Sequence, residues 1–433
     1  MSPTTIGIIG LVALVVLIFT RMPIGFLMAI VGFIGFASIV NVDAASTLLA
    51  KDLVAVFSSY NLTVIPLFVL MGQIAFHTGI SRRLFDTAYK FIGHWPGGLA
   101  IATVGACAGF AAICGSTNAT AATMGSTCLP EMKRYNYDPG ITCGVVAAAG
   151  SLGILIPPST IFIIYGILTE QSIGKLFISG VIPGILLASL FVTAIMIWVY
   201  LKPELAPRGP KTTFKEKLMS LSGTGETLLL FILVMGGLFS GIFTPTEAGG
   251  VGAFGAMAIA LVRRSITWKA FLQSLMETTR ISCMIMMIVA GATVFGHFLA
   301  VSRIPFDIAN SILGLDLPRA VVMMMIIAIY IIGGCFLDSL ALIMLTIPIF
   351  YPVVVQLGYD PVWFGVIIVM VTQIGVITPP VGVNVYVVSG MDRAVSLQSV
   401  FKGALPYLAA LVVAALLLLL LPQLVLAPVA WLE

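Results

Sequence analysis

Apolar stretches alternate with short polar connections from one end of the chain to the other. They run over 5–20, 23–41, 62–77, 97–129, 141–169 and 173–201, and then over 227–242, 245–262, 280–300, 320–357, 362–390 and 404–430. A run of about 20 apolar residues crosses a hydrocarbon core of about 30 Å as a helix. The runs are continuous rather than alternating, which excludes a transmembrane barrel. The pattern predicts an all-α polytopic membrane protein. No basic segment precedes the first run, so it reads as a retained helix rather than a cleaved leader. The longest polar stretch, 202–226, holds five basic and three acidic residues and three prolines. It divides the chain into 1–201 and 227–433, with a cytoplasmic or interfacial linker between. Inside it Phe214, Leu218 and Leu221 share a helical face, which predicts a segment lying flat on the membrane. The stretches 82–92 and 268–275 have the same character.

The two halves repeat one another. The stretch 79–86, Gly-Ile-Ser-Arg-Arg-Leu-Phe-Asp, returns as Ala-Val-Ser-Arg-Ile-Pro-Phe-Asp at a shift of 221. Tyr137-Asp138-Pro139 returns as Tyr359-Asp360-Pro361, and Gly153 with Pro157-Pro158 returns as Gly375 with Pro379-Pro380, both at 222. Pro130 and Pro352 keep 222, while Gly180 and Pro183 match Gly403 and Pro406 at 223. Matches in the same order at a nearly constant offset indicate duplication. The linker and the Arg263-Arg264 loop are two spans apart, so both fit the cytoplasm. An odd number of crossings per half then puts both termini outside and makes the repeats inverted. The stretches 97–129 and 320–357 fit re-entrant hairpins as well as full spans.

Composition narrows the function. Hydrophobic residues make up 60% of the 433 and charged residues 9%, against about 25% charged in soluble domains. A net charge of +4, confined to short connections, gives no footprint for nucleic acid. The cysteines Cys107, Cys114, Cys128, Cys143, Cys283 and Cys335 form no metal spacing and read as small hydrophobes. His77, His94 and His297 likewise show no ligand spacing, and no hydrolase, metalloprotease or phosphate-loop motif occurs, so an enzyme is not expected.

Chemistry concentrates where long apolar segments are broken. The hydroxyl-rich patch 114–126 suits the tip of a helical hairpin, and its counterpart is 333–339. At the repeat offset Ser116 falls opposite Asp338, and Thr117 opposite Ser339. The other two breaks are the double prolines. They remove backbone donors and push their predecessors out of the helical region. Carbonyls over 150–157 and 372–379 thereby lose helical partners, which membrane depth tolerates only where protein or water satisfies them. Freed carbonyls and hydroxyls are hard oxygen ligands for an alkali cation, and half-helix N-termini attract anions. A mid-membrane aspartate costs roughly 2.5–3.5 kcal/mol on insertion scales, and no basic residue lies within fifteen positions of Asp338. A bound cation is one partner for it; protonation and a bond to a neighbouring helix is the other. Glu247 is read as a helix-starting acid, Arg82 and Arg303 as interfacial anchors.

At these residues the sequence resembles the large membrane subunit of tripartite ATP-independent periplasmic (TRAP) transporters, the DctM-like family of the ion-transporter superfamily. The resemblance rests on Gly115-Ser-Thr-Asn118, 153–158, 244–250, Asp338-Ser339 and 375–380, over essentially the whole chain. It implies an elevator-type importer of organic acids, such as dicarboxylates or sialic acid, in the bacterial inner membrane and driven by a sodium gradient. It also implies a periplasmic binding protein and a small four-helix membrane subunit, here a separate chain, and no cofactor beyond the coupling ion. One sodium site then falls on Ser116, Asn118, Gly153 and Pro157, and the other on Asp338, Gly375, Thr378 and Pro379. Thr117, Ser159, Ser339 and Asn384 are the expected substrate contacts. The second tip lacks the Ser-Thr-Asn run, so the two sites are expected to differ chemically. The competing readings are a self-sufficient sodium–carboxylate symporter and a structural or channel-like membrane component.

Overall fold

The computed structural model describes residues 2–20, 22–209, 211–313, 317–392 and 394–431. Among them the regular structure is entirely helical. The first half runs α1 (Pro3–Ile18), α2 (Ile24–Ile39), α3 (Val42–Phe57), α4 (Val64–His77), α5 (Ile80–Ile92), α6 (Gly98–Cys114), α7 (Thr117–Arg134), α8 (Pro139–Gly150), α9 (Thr160–Thr169) and α10 (Ile173–Leu201). The second runs α11 (Phe214–Phe239), α12 (Pro245–Val262), α13 (Trp268–Ser302), α14 (Ile304–Leu313), α15 (Arg319–Gly334), α16 (Ser339–Gln356), α17 (Pro361–Val376), α18 (Val383–Met391) and α19 (Leu397–Leu420). Seven helices among the described residues are long and apolar enough to cross a membrane. The hairpin arms and broken segments are mostly shorter.

Local chemistry places the helix starts, and it repeats. Asp138 caps α8 by accepting from the Gly140 and Ile141 amides, with Pro139 in the first turn. Asp360 caps α17 by accepting from the Val362 and Trp363 amides, with Pro361 in the same place. Proline suits that position because the amide it lacks has no helical partner there. Ser172 and Ser396 cap the long helices α10 and α19. Glu247 closes a capping box with Thr244 at the head of α12, the structural role its position suggested.

Packing comes in matched pairs. Helix α8 lies on α19 as α17 lies on α10, and α7 lies on α18 as α16 lies on α9. Such reciprocity is what a two-fold relation between copies generates. Helices α1–α4 and α11–α13 pack as a second group, in which α13 runs along α2. Gly25 and Gly32 let those two backbones meet: a Cβ at Gly25 would sit 2.7 Å from the Met287 carbonyl oxygen. Glu226 ties α11 to α5 through Arg83 at 3.5 Å and to α12's end through Arg263.

Three elements differ from expectation. The 214–221 face does not form a separate surface helix; it opens the continuous 26-residue α11, started by the Thr213–Glu216 capping box. Likewise 268–275 is the first part of α13, whose 35 residues extend for about 52 Å at about 1.5 Å per residue. The cap of each polar segment has no stop signal after it, so the helix continues into the span. Helix α3, with Asp43 in its first turn and an Asn41 cap, was too polar for the apolar pattern to reveal. The six cysteines are free, and five of them are buried.

Candidate functional site

The break in each hairpin is short. Between α6 and α7 it is Gly115-Ser116, with Gly115 at φ +65°, a left-handed turn that glycine adopts without strain. Ser116 then caps α7. Between α15 and α16 the break is 335–338, and Asp338 caps α16, its Oδ2 accepting from the Leu340 amide at 3.1 Å. The two residues matched by the repeat are therefore the two N-caps of the returning helices.

Each double proline interrupts a helix beside its own hairpin tip. After α8 the chain makes one 3₁₀ turn over Ser151–Ile154, and the helix resumes at Thr160. The Thr160 amide and hydroxyl both donate to the Gly115 carbonyl, at 3.4 and 2.9 Å. Gly153 packs on the Ser116 carbonyl so closely that a Cβ there would overlap it, and that Cβ would lie 2.7 Å from Thr120 Oγ1. The second half answers in kind. The Val381 amide donates to the Cys335 carbonyl at 3.3 Å, and Gly375 sits against the Gly334 backbone with no room for a side chain. Both proline pairs, Pro157-Pro158 and Pro379-Pro380, are joined by cis peptide bonds.

The tips of the two halves meet around one space. A cavity of about 90 Å³ is lined by Ser116, Thr117 and Asn118 from the first tip and Asp338 and Ser339 from the second, with Gln73 and Thr160 beside them. A larger one of about 760 Å³ adjoins it, walled by Pro23–Phe26, Phe57 and Met287 and sharing Asn118, Met284 and Asp338 with the first. No lysine or arginine lines either among the described residues. From the described residues an anion there meets helix N-termini, hydroxyls and amides.

The expected site residues separate into three groups. Ser116, Thr117, Asn118, Asp338 and Ser339 line the first cavity, and Gly153 and Gly375 pack on the tips. Pro157 is buried beside the first tip, and Thr378 is held at the second break by donating to the Ile374 carbonyl at 2.5 Å. Pro379 is exposed and lines a different cavity, on the α19 side. Thr372, Gln373 and Ile377, which precede it in the chain, are buried. Ser159 and Asn384, expected as substrate contacts, line neither cavity. Ser159 is consumed as the α9 cap, donating to the Ile154 carbonyl and accepting from the Phe162 amide. Asn384 donates to the Ala147 carbonyl at 2.9 Å and so ties α18 to α8.

Thr120 was missed. Its hydroxyl is fully buried at the Gly153 contact and has no hydrogen-bond partner. The signal was present, because Thr120 stands four residues after Ser116 and shares its helical face. Ser339 is in the same condition, buried with an unpartnered hydroxyl.

The family model for the tripartite ATP-independent periplasmic transporter, DctM component, matches residues 11–424. A C4-dicarboxylate TRAP transporter large permease protein of Pseudomonas aeruginosa is 38% identical, over 89% of this chain and 90% of the relative. This chain belongs to the DctM family of TRAP transporter large permeases. It is thus a multi-pass transporter subunit and not an enzyme. A sialic acid TRAP transporter large permease of Vibrio cholerae is 32% identical over 94% of each chain. This permease spans only 61% of a 36% identical isethionate TRAP transporter permease protein from Oleidesulfovibrio alaskensis. Among solved structures the Alcanivorax borkumensis YdaH transporter superposes at a TM-score of 0.62 with 13% identity, covering 90% of the permease and 89% of that chain. The Neisseria gonorrhoeae MtrF structure gives 0.56 with 14% identity over 87% and 83%. Both show the fold alone.

Proposed function

We propose that this permease is the large subunit of a sodium-coupled importer of an organic acid, a dicarboxylate or a sugar acid, handed over by a periplasmic binding protein. The observation that carries this reading is the meeting of the two tips. Two helix N-termini, Asn118 and Asp338 converge on one space that no described lysine or arginine lines, and each tip abuts a break in its helix. One cation belongs between the first tip and Gly153, with Thr120 added to Ser116 and Asn118. A second belongs with Asp338, Gly375 and Thr378. The cation at Asp338 neutralises the carboxylate that faces the substrate space, so the acid enters only with sodium bound. Thr117 and Ser339 are the substrate contacts on this reading.

Hairpins and broken helices then move as an elevator against α1–α4 and α11–α13. The repeats 1–201 and 227–433 are inverted about the 202–226 linker, and both termini are periplasmic in the inner membrane. A small membrane subunit pairs with the permease. The test is uptake into proteoliposomes holding both membrane subunits, with and without a sodium gradient and with and without the binding protein. Saturable uptake that needs both supports the proposal. Uptake without the binding protein favours a self-sufficient symporter, and unsaturable flux indifferent to sodium favours a channel.

A further inference from the structure

Ser151 opens the 3₁₀ turn of the first break, and Gln373 stands in the last turn of α17, before the second. Both are fully buried. The Ser151 hydroxyl lies 3.0 Å from Gln373 Oε1 and 2.7 Å from the Ala148 carbonyl, so it sits between the two halves. The pair is separated by 222 residues, the repeat offset. Among the described residues no other side-chain hydrogen bond joins a residue to its own repeat mate at that spacing. Two copies related by a two-fold rotation bring a residue against its mate only where the axis passes between them. Ser151 and Gln373 mark that point. Each is two residues before the glycine, Gly153 or Gly375, that packs on its hairpin tip.

Stability alone does not call for this arrangement. A buried primary amide costs free energy that an apolar side chain of the same length does not. The one Ser151 hydroxyl hydrogen is shared between the Ala148 carbonyl and Gln373 Oε1, while Gln373 Nε2 donates to the Val369 carbonyl at 3.4 Å.

We propose that the Ser151–Gln373 hydrogen bond is a positioning link between the two breaks, so that a cation at one hairpin–break junction is felt at the other. It rests on the sodium reading above. When the first junction closes on a cation, the turn carrying Ser151 becomes fixed. Gln373 is fixed with it, and the second junction is then ordered before its own cation arrives. Coupling of this kind is reciprocal.

The experiment is hydrogen exchange over 148–156 and 370–378 in the purified two-subunit complex, titrated with sodium chloride against potassium chloride. In the unaltered protein both stretches become protected with one common midpoint. In Ser151→Ala and in the near-isosteric Gln373→Met the midpoints separate by about threefold to tenfold, the ratio one buried hydrogen bond supports. The exchanged pair Ser151→Gln with Gln373→Ser brings them together again, because the axis makes the two positions equivalent. A single shared midpoint in both variants, with only a lower melting temperature, overturns the link and leaves the sodium reading standing. No sodium response in either stretch of the unaltered protein overturns the sodium reading, and the link falls with it. Should Gln373→Met fail to fold, Ser151→Ala, which removes one oxygen atom, decides the matter alone.

Discussion

The same double proline is treated differently by the two halves. The first, Pro157-Pro158, is buried; the second, Pro379-Pro380, is exposed. The cause is the long helix that follows. In the first half α10 lies directly on the break: Gly180 approaches the Leu155 carbonyl, and Gly184 the Ile156 side chain, each leaving a Cβ only 2.7 Å of room. In the second half the matching Gly403 is pressed against Gly140 of α8 instead. Helix α19 therefore stands off its own break, touching it at Phe401 against Gly382. A cavity of about 400 Å³ opens beside Pro379, walled by Leu397, Phe401, Lys402 and Leu405. Duplication fixed how the chain breaks, and the neighbouring helix decides what reaches the break. The tips diverge as well, since the first is neutral and the second carries Asp338.

That charge difference gives the largest expected effect. On the proposed sodium reading Asp338→Ala removes a charged ligand, worth about 1.5–3 kcal/mol for a hydrogen-bonding contact. It should raise the sodium concentration for half-maximal uptake by roughly 10- to 100-fold, whereas Ser116→Ala should raise it about fivefold. Equal shifts from the two variants, read from uptake rates against sodium, show that the acid is a structural cap only. Next come the tip glycines, where the halves are alike. Gly153→Ala and Gly375→Ala each drive a methyl group into backbone that cannot yield, a loss of about 1–3 kcal/mol. Gly105→Ala, which meets nothing within 4 Å, is the control. Melting temperatures should fall for the first two and hold for the third; a mild Gly375→Ala alone makes the second junction the looser one.

Most of this was legible in the residues, for identifiable reasons. Hairpins and breaks announce themselves because glycine, proline and hydroxyl residues are incompatible with uninterrupted apolar helix, and the 222 offset paired them. That pairing matched Ser116 with Asp338, and the fold brings both to one cavity. What escaped were features set by contact rather than pattern. The hydrogen bonds that Ser159 and Asn384 donate to the Ile154 and Ala147 carbonyls are of this kind. In sequence Thr120 is one hydroxyl among several, and only its contact with Gly153 sets it apart. The exposure of Pro379 depends on where α19 leans, which no local motif encodes.

Smaller effects sharpen the contrast at the long helices. Gly180→Ala should loosen the first break and raise hydrogen exchange over 150–158. Gly403→Ala should instead part α8 from α19 and leave 372–380 unchanged, because its contact is with the other half. Identical exchange patterns from the two variants dissolve the difference between sealed and open breaks. The smallest effect is expected from filling the open side. Leu405 is half exposed on the wall of the Pro379 cavity, so Leu405→Trp adds bulk where space already exists. Its cost should stay within about 0.5 kcal/mol, the range of substitutions that disturb no packed neighbour. Uptake is the more telling measurement. An unaltered rate means the space is a standing gap between α19 and the break, whereas a rate that falls while the melting temperature holds means the second break swings into that space during each cycle.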